Sequence, residues 1–232
     1  LSNMRTPHVQ TVAVLTRNNA RSVTEHVSSP KWWDFGRKQG GMFLFTPTVT
    51  AENSDWYRGT ADAMYQNIDF LKRRHEPYVI ISSGDCVYKM DCNKVLDYHI
   101  AKKADITVVC KDMPADANIN RFGVVRMNED SRIVEFEEKP IIAQSNTIST
   151  GVYVIRRRQL IEILEKSAEE NRFDFVADVL IRYKNIKRIY GYKTKEYWSN
   201  IASVDDYYRT NMDFLKQDVR NYFFRQEPKI YS

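Results

Sequence analysis

Cysteine is scarce in this chain, and its three positions form no recognisable framework. Cys86, Cys92 and Cys110 lie in or near apolar segments, and no two of them form a CxxC pair. An odd number of cysteines without framework spacing argues against a disulfide-stabilised secreted domain and indicates reduced thiols. We therefore expect a cytoplasmic protein.

Long hydrophobic runs are also missing. No run approaches the roughly 20 apolar residues that a membrane-spanning helix needs, so we expect no membrane partner. Residues 1–10 lack the layout of a signal peptide. Leu1 is not a natural initiator, and an apolar strand is predicted almost at once, at residues 9–16. We therefore expect the natural protein to contain upstream sequence.

The chain has no large excess of charge of either sign. Its 35 Lys and Arg residues against 30 Asp and Glu residues give a net charge of +5 over 232 residues. Basic residues are spread out, apart from residues 73–74 and 156–158, and clusters this small usually lie on solvated helix faces. The sequence therefore favours no nucleic-acid partner, while a site for phosphorylated small molecules fits the charge equally well.

The full chain is 43 % apolar and 28 % charged, a composition that can supply a full core. In its first half, short apolar runs alternate with helical patterns. Strands are predicted at residues 9–16, 42–45, 78–82 and 105–110. Helices are predicted at residues 20–26 and 93–102, and a long helix opens at Thr60, with Thr60 as its N-cap. A loop is predicted at residues 30–41. This alternation indicates parallel strands with helices on both faces.

The pattern changes at Arg121, where residues 122–127 and 132–136 alternate as an antiparallel hairpin does, with residues 128–131 as its turn. Further strands are predicted at residues 149–155, 186–192 and 196–199, and further helices at residues 157–166, 173–182 and 205–215. We therefore predict an α/β fold with a mixed, mainly parallel sheet, as one domain spanning residues 1–232.

Three places carry residues suited to chemistry. Asp85 follows an apolar strand and a glycine, where ligands bind in open α/β sheets, and it could hold a divalent metal or simply form a turn or helix N-cap. Gly59 leads into the helix at Thr60, a junction that can bind an anion but that is common in proteins. Glu138 and Lys139 end a strand and could contact sugar hydroxyls and phosphate, or could be a solvated hairpin end.

Six ordered motifs are far more specific together than apart. They are Trp-Tyr-Arg-Gly-Thr-Ala-Asp-Ala at 56–63, Gly-Asp at 84–85 with Tyr-Lys-Met-Asp at 88–91, Arg-Phe-Gly at 121–123, Phe-Glu-Glu-Lys-Pro at 136–140, Ser-Thr-Gly-Val-Tyr at 149–153, and Asn-Met-Asp-Phe-Leu at 211–215. In this order they resemble ADP-glucose pyrophosphorylase, over residues 9–231.

The resemblance implies a Rossmann-like nucleotidyltransferase domain that joins ATP and glucose 1-phosphate into ADP-glucose and pyrophosphate with Mg²⁺ as cofactor. It implies Asp85 as the catalytic, metal-binding carboxylate. The implied sugar-phosphate residues are Tyr57, Gly123, Glu138, Lys139 and Ser149, with Lys139 on the phosphate and Glu138 on the sugar hydroxyls. Gly59 and Thr60 would lie near the nucleotide.

The chain also departs from the family pattern. The family has an N-terminal glycine-rich loop and a C-terminal β-helix domain, neither of which is in this sequence. Its second metal-binding aspartate corresponds here to Asn200, a neutral amide, and hard divalent cations favour carboxylates. A lysine is lost from the segment 174–178, and Cys86 stands where a histidine is common.

These departures favour a regulatory or weakly catalytic subunit of bacterial ADP-glucose pyrophosphorylase in glycogen biosynthesis. The resemblance implies that it works beside a catalytic paralogue, in a hetero- or homotetramer. The alternatives are a self-sufficient glucose-1-phosphate adenylyltransferase and a nucleotidyltransferase for another sugar 1-phosphate.

Overall fold

The computed structural model describes residues 1–4, 9–17, 19–27, 40–47 and 56–230. Its strands are β1 (Thr11–Leu15), β2 (Gly41–Phe45), β3 (Tyr78–Ser82), β4 (Cys86–Tyr88), β5 (Ile106–Asp112), β6 (Gly123–Met127), β7 (Ile133–Glu138), β8 (Thr147–Arg156), β9 (Ile189–Lys193) and β10 (Trp198–Asn200). Its α-helices are α1 (Ala20–Val27), α2 (Thr60–Gln66), α3 (Ile68–Lys72), α4 (Cys92–Ala101), α5 (Arg157–Glu169), α6 (Val204–Asp213) and α7 (Gln217–Phe224). A π-helix spans Val176–Ile181.

A six-stranded mixed sheet forms the centre, built around the long strand β8. Strand β5 pairs antiparallel with one edge of β8 and parallel with β9. On the other edge, β3 pairs antiparallel with the C-terminal half of β8, and β6 joins its N-terminal half and continues to β7. Strands β3, β5 and β9 therefore run in one direction. Two small sheets flank this one, β1 parallel to β2 and β4 antiparallel to β10.

Helices cover both faces of the central sheet, as the sequence predicts. Val108 faces the cluster that contains Leu160 and Leu164 of α5 and the π-helix. The next residue of β5, Val109, faces the cluster that contains Val95 of α4, because successive side chains of a strand point to opposite faces. Residues 106–110 are all buried, which explains why they are apolar apart from Thr107. The mixed α/β fold is confirmed.

The structure corrects several element boundaries. The long helix predicted from Thr60 is two helices, α2 and α3, that meet at Asn67, whose side chain donates to the Ala63 carbonyl and to the Tyr57 hydroxyl oxygen. Gly59, and not Thr60, is the N-cap of α2. The helix predicted at residues 173–182 is largely the π-helix, and α7 and β4 were not predicted.

Two further predictions concern the loop at residues 30–41 and the absence of a membrane-spanning helix. Most of the loop predicted at residues 30–41 lies outside the described residues. Among the residues that are described, none belongs to a helix long and apolar enough to span a bilayer.

Candidate functional site

The central sheet opens at Ser149–Gly151 of β8. Strand β3 pairs with β8 from Val152 onward, while β6 meets β8 at Ile148, so the two neighbours diverge between these positions. Gly151 has a φ of +78°, a conformation that favours glycine. The opening lies beyond the carboxyl end of β3, and ligands of open α/β sheets bind in the crevice beyond the carboxyl ends of strands. The predicted site residues lie on both sides of this opening.

Asp85 lies on the β3 side, which we call the metal edge, made of Ser83, Asp85, Cys86 and Asn200. The Ser83 amide donates to the Gly151 carbonyl at 2.9 Å, which joins this turn to β8. Asp85 is exposed, and its Oδ1 accepts hydrogen bonds from the Ser83 hydroxyl and, at 3.3 Å, from the Cys86 thiol. The carboxylate is therefore oriented by neutral donors and is accessible to a ligand.

Strand β10 brings Asn200 to the same edge, because Asn200 pairs with Cys86 across the β4–β10 ladder. Its Nδ2 lies 3.3 Å from the Asp85 carbonyl oxygen and 3.6 Å from Cys86 Sγ, and it donates to both. Its Oδ1 accepts from the Ala202 amide at 3.2 Å. Both ends of the amide are thus engaged by the protein, so Asn200 acts here as a link between strands.

The Cys86 thiol is a neutral partner for Asp85. Burial, reinforced by the Asp85 carboxylate, raises the pKa of Cys86 to about 12. The thiol therefore remains protonated at neutral pH and can donate to Asp85.

The fit to Mg²⁺ follows from these donors. Proteins usually hold Mg²⁺ by one or two carboxylates completed by water and substrate phosphates. The metal edge supplies one carboxylate, Asp85, and Asn200 adds no charge. Within the described part of the chain, no three His, Cys, Asp or Glu side chains are grouped to hold a metal. The residues fit a Mg²⁺ ion that arrives with a phosphate ligand.

The β6–β7 hairpin and the neighbouring strand β8 carry the other half, Gly123, Glu138, Lys139 and Ser149, which we call the sugar-phosphate half after the role predicted from the sequence. Gly123 pairs with Glu138, and a Cβ at Gly123 would lie 3.1 Å from Glu138 Oε2. Lys139 has a φ of +49°, and its exposed Nζ lies 3.5 Å from Glu138 Oε1. Burial raises the pKa of Glu138, with Lys139 opposing the shift. The hairpin thus offers one half-buried carboxylate and one accessible ammonium.

Ser149 lies on β8 beside this hairpin and is buried. Its Oγ is 3.2 Å from the hydroxyl of Tyr153, whose pKa burial raises. Because Val124 pairs with Ile148, Ser149 stands next to the start of β6. The structure therefore brings Gly123, Glu138, Lys139 and Ser149 together.

The third group of predicted site residues makes its contacts mainly with other parts of the protein. It comprises Tyr57, Gly59 and Thr60. Tyr57 is only 4 % exposed. The first free amides of α2, at Ala61 and Asp62, donate to the Phe173 carbonyl at 2.8 and 3.2 Å. A Cβ at Gly59 would lie 2.3 Å from that carbonyl oxygen. The helix N-terminus that the sequence offers to an anion is therefore filled by residue 173, and the nucleotide role of Gly59 and Thr60 stays a prediction.

Asp174 has a structural role that the sequence did not reveal. Its Oδ1 accepts from the amides of Val176 and Ala177, both at 2.8 Å, and so caps the π-helix. Ala177, which stands within the segment that has lost the family's lysine, is exposed at this first turn. Where the family has a lysine in this segment, the exposed side chain of Ala177 therefore supplies no positive charge to a ligand.

The sequence did not predict two contacts of charged side chains near the site. Arg121 forms a two-point ion pair with Asp206. Lys89, just after β4, is 3 % exposed, and its ammonium donates to the carbonyls of Tyr222 and, at 2.8 Å, Gln226 at the end of α7. Loss of water lowers the pKa of Lys89. The partners in these contacts are 85 to 137 residues apart in the chain, so no local sequence pattern could have predicted them.

Comparison with known proteins gives consistent matches. The family model of nucleotidyl transferases matches residues 1–217. A glucose-1-phosphate adenylyltransferase from Bacillus cytotoxicus is 37 % identical over 100 % of this chain and 62 % of the relative. Enzymes of the same name from Lachnospira eligens and Clostridium perfringens strain 13 are 38 % and 36 % identical, over 93 % and 100 % of this chain and 51 % and 60 % of the relatives. The chain thus spans about half to three-fifths of these relatives. The resemblance drawn from the motifs is confirmed.

Proposed function

Because the chain belongs to the nucleotidyl transferase family, we propose that it is part of a cytoplasmic glucose-1-phosphate adenylyltransferase subunit that binds substrates but has little activity of its own. In this proposal ATP and glucose 1-phosphate are its ligands, a catalytic paralogue is its partner in a tetramer, and ADP-glucose for glycogen synthesis is the product of the assembly. Residues 1–232 form its substrate-binding domain.

The engaged amide of Asn200 carries this proposal. In such a reaction a sugar-phosphate oxygen attacks the α-phosphorus of ATP, the bond from that phosphorus to the bridging oxygen breaks, and pyrophosphate leaves while cationic groups neutralise the developing charge. Mg²⁺ bound with the nucleotide would supply most of that charge. Asp85 would hold the ion through its exposed carboxylate. Asn200 gives no second negative charge, and its oxygen and nitrogen already bond to the protein. We therefore expect weak retention of the metal.

The sugar-phosphate half supports retained binding. Lys139 would contact the phosphate, because its ammonium is exposed and held beside Glu138. Glu138 would accept hydrogen bonds from sugar hydroxyls, and Gly123 leaves the space for its carboxylate. Ser149 would line the floor of the opening beside Tyr153. These groups can position a sugar phosphate without the metal edge.

The test is an assay of the full-length protein alone and with a catalytic paralogue, using ATP, Mg²⁺ and glucose 1-phosphate. We expect glucose 1-phosphate to bind by calorimetry, little pyrophosphate release from the protein alone, and a changed rate in the paralogue. Robust release without a partner would instead establish a self-sufficient enzyme. A competition panel that favours UTP or dTTP over ATP would point to another nucleotidyltransferase.

A further inference from the structure

The Arg121–Asp206 contact is a built ion pair and not a loose surface contact. Arg121 Nη1 and Nη2 lie 2.6 and 3.0 Å from the two oxygens of Asp206. The Ser203 hydroxyl donates to Asp206 Oδ2 at 2.7 Å, and the Asp206 amide donates back to Ser203 Oγ at 3.1 Å. The Asp206 side chain is only 13 % exposed. Such two-point pairs fix geometry as well as charge.

Each partner is attached to a different half of the candidate site. Arg121 directly precedes Phe122, whose carbonyl accepts from the Lys139 amide at 3.1 Å, and Gly123, which pairs with Glu138. Asp206 lies in the first turn of α6, three residues after Ser203, which is the N-cap of that helix. That helix follows Asn200 in the chain.

Helix α6 is also fastened to the metal edge. The Thr210 hydroxyl of α6 lies 2.7 Å from the Ser199 hydroxyl of β10. Beside the ion pair, the rings of Phe122 and Trp198 meet edge to face, with centroids 5.5 Å apart. Strands β6 and β7 of the hairpin belong to one sheet and β4 and β10 to another, so no ladder pairs the hairpin with Asn200. The hydrogen bond from the Ser83 amide to the Gly151 carbonyl joins the metal edge to β8, and the ion pair adds a direct connection to the hairpin.

We propose that Arg121 and Asp206 are positioning residues that hold the sugar-phosphate half against the metal edge, so that one ligand can contact both halves. The proposal deepens the function proposed above and rests on it. A ligand that touches one half gains nothing from the pair. A ligand that spans both halves binds best when their spacing is set beforehand.

The structure also offers a matched control. Arg126 and Glu135 form a similar two-point pair on the same hairpin, with distances of 2.8 and 2.5 Å. Both partners of this pair lie on the hairpin, so the pair connects no two halves. Arg126→Met therefore removes an equivalent ion pair without releasing α6.

The experiment measures two ligands by calorimetry on the full-length protein: glucose 1-phosphate alone, and ADP-glucose with Mg²⁺. We expect Arg121→Met to weaken ADP-glucose binding about fivefold to tenfold, a typical coupling between sites. Glucose 1-phosphate binding should change less than about twofold. Asp206→Asn should resemble Arg121→Met, and the double variant should lose little more than either, because the residues act as a pair. Arg126→Met should leave both ligands unchanged.

Arg121→Lys keeps the charge and the fold but loses the two-point geometry, so it should be intermediate for ADP-glucose. Equal weakening of both ligands in Arg121→Met would show a general structural role and overturn the inference, as would no weakening of either. If the unaltered protein binds neither ligand, the proposed function itself fails.

Discussion

Replacing Asn200 with aspartate is the sharpest test of the metal edge. The change keeps the oxygen that accepts from the Ala202 amide at 3.2 Å. It removes the Nδ2 donor to the Asp85 carbonyl and to Cys86 Sγ, at 3.3 and 3.6 Å. It also places a second negative charge beside Asp85.

The magnitude follows from these contacts. The two lost hydrogen bonds are long, so together they are worth about 1 kcal/mol. Repulsion between two exposed carboxylates adds about 1 kcal/mol. Without metal, Asn200→Asp should therefore destabilise the chain by about 2 kcal/mol, which lowers Tm by about 4–8 °C at this chain length. With Mg²⁺ and nucleotide, a second charged ligand should contribute about 1.5–3 kcal/mol, or roughly tenfold to hundredfold in metal affinity.

Thermal unfolding with and without Mg²⁺–ATP, and calorimetry of the same ligands, measure both effects. Asn200→Ala is the control without added charge; it loses the same Nδ2 donor and also the oxygen that accepts from the Ala202 amide. We expect both variants to be less stable without metal, and Asn200→Asp alone to recover when Mg²⁺–ATP is added. Equal metal responses in the two variants would refute the reasoning, because the site would then lack more than one carboxylate.

Three further predictions follow from single side chains. Lys139→Ala should weaken glucose 1-phosphate binding by about 1.5–3 kcal/mol, the loss of one charge-assisted contact, and unaltered affinity by calorimetry would contradict that contact. Gly123→Ala should cost about 1–3 kcal/mol in urea unfolding and also weaken glucose 1-phosphate, because its Cβ would lie 2.8 Å from Phe136 Cε1 and 3.1 Å from Glu138 Oε2. His99 is 1 % exposed, and burial, aided by Arg156, lowers its pKa to about 4 from an ordinary 6.5, so the unfolded chain takes up the proton first. Stability should therefore be level above pH 6.5 and fall below it, by about 2 kcal/mol at pH 5. His99→Gln should remove that part of the urea-measured fall between pH 7 and pH 5, and an undiminished fall would exclude His99 as its source.

The sequence predicted the features that depend on local pattern. Strands β3 and β5 read as largely apolar runs because side chains from both of their faces pack against apolar clusters. The β6–β7 hairpin reads as alternation around a polar turn, and both of its strands were found. Asp85 could be singled out because it directly follows an apolar strand and a glycine.

What the sequence could not predict depends on distant partners. The break at Asn67 arises because its amide donates to Tyr57, and Asn67 has no strong helix-breaking signal of its own. Helix α2 begins one residue earlier than predicted, at Thr60, whose hydroxyl accepts from the Phe175 amide, 115 residues away. The engaged state of Asn200 depends on the β4–β10 pairing, which no local periodicity shows. Residue types alone therefore indicated an altered site but not its hydrogen bonds.

The buried lysine at the end of β4 gives the C-terminal helix a mechanical role. Lys89 neutralises the carbonyl end of α7 while lying four residues beyond Asp85, and its ammonium also faces the Tyr222 ring at 4.4 Å. Pulling α7 away would break two hydrogen bonds of a charged donor, each worth about 1.5–3 kcal/mol. Helix α7 and the strand of the metal edge should therefore open as one cooperative unit. Lys89 is thus a direct link between the chain at residue 226 and the strand that begins next to Asp85.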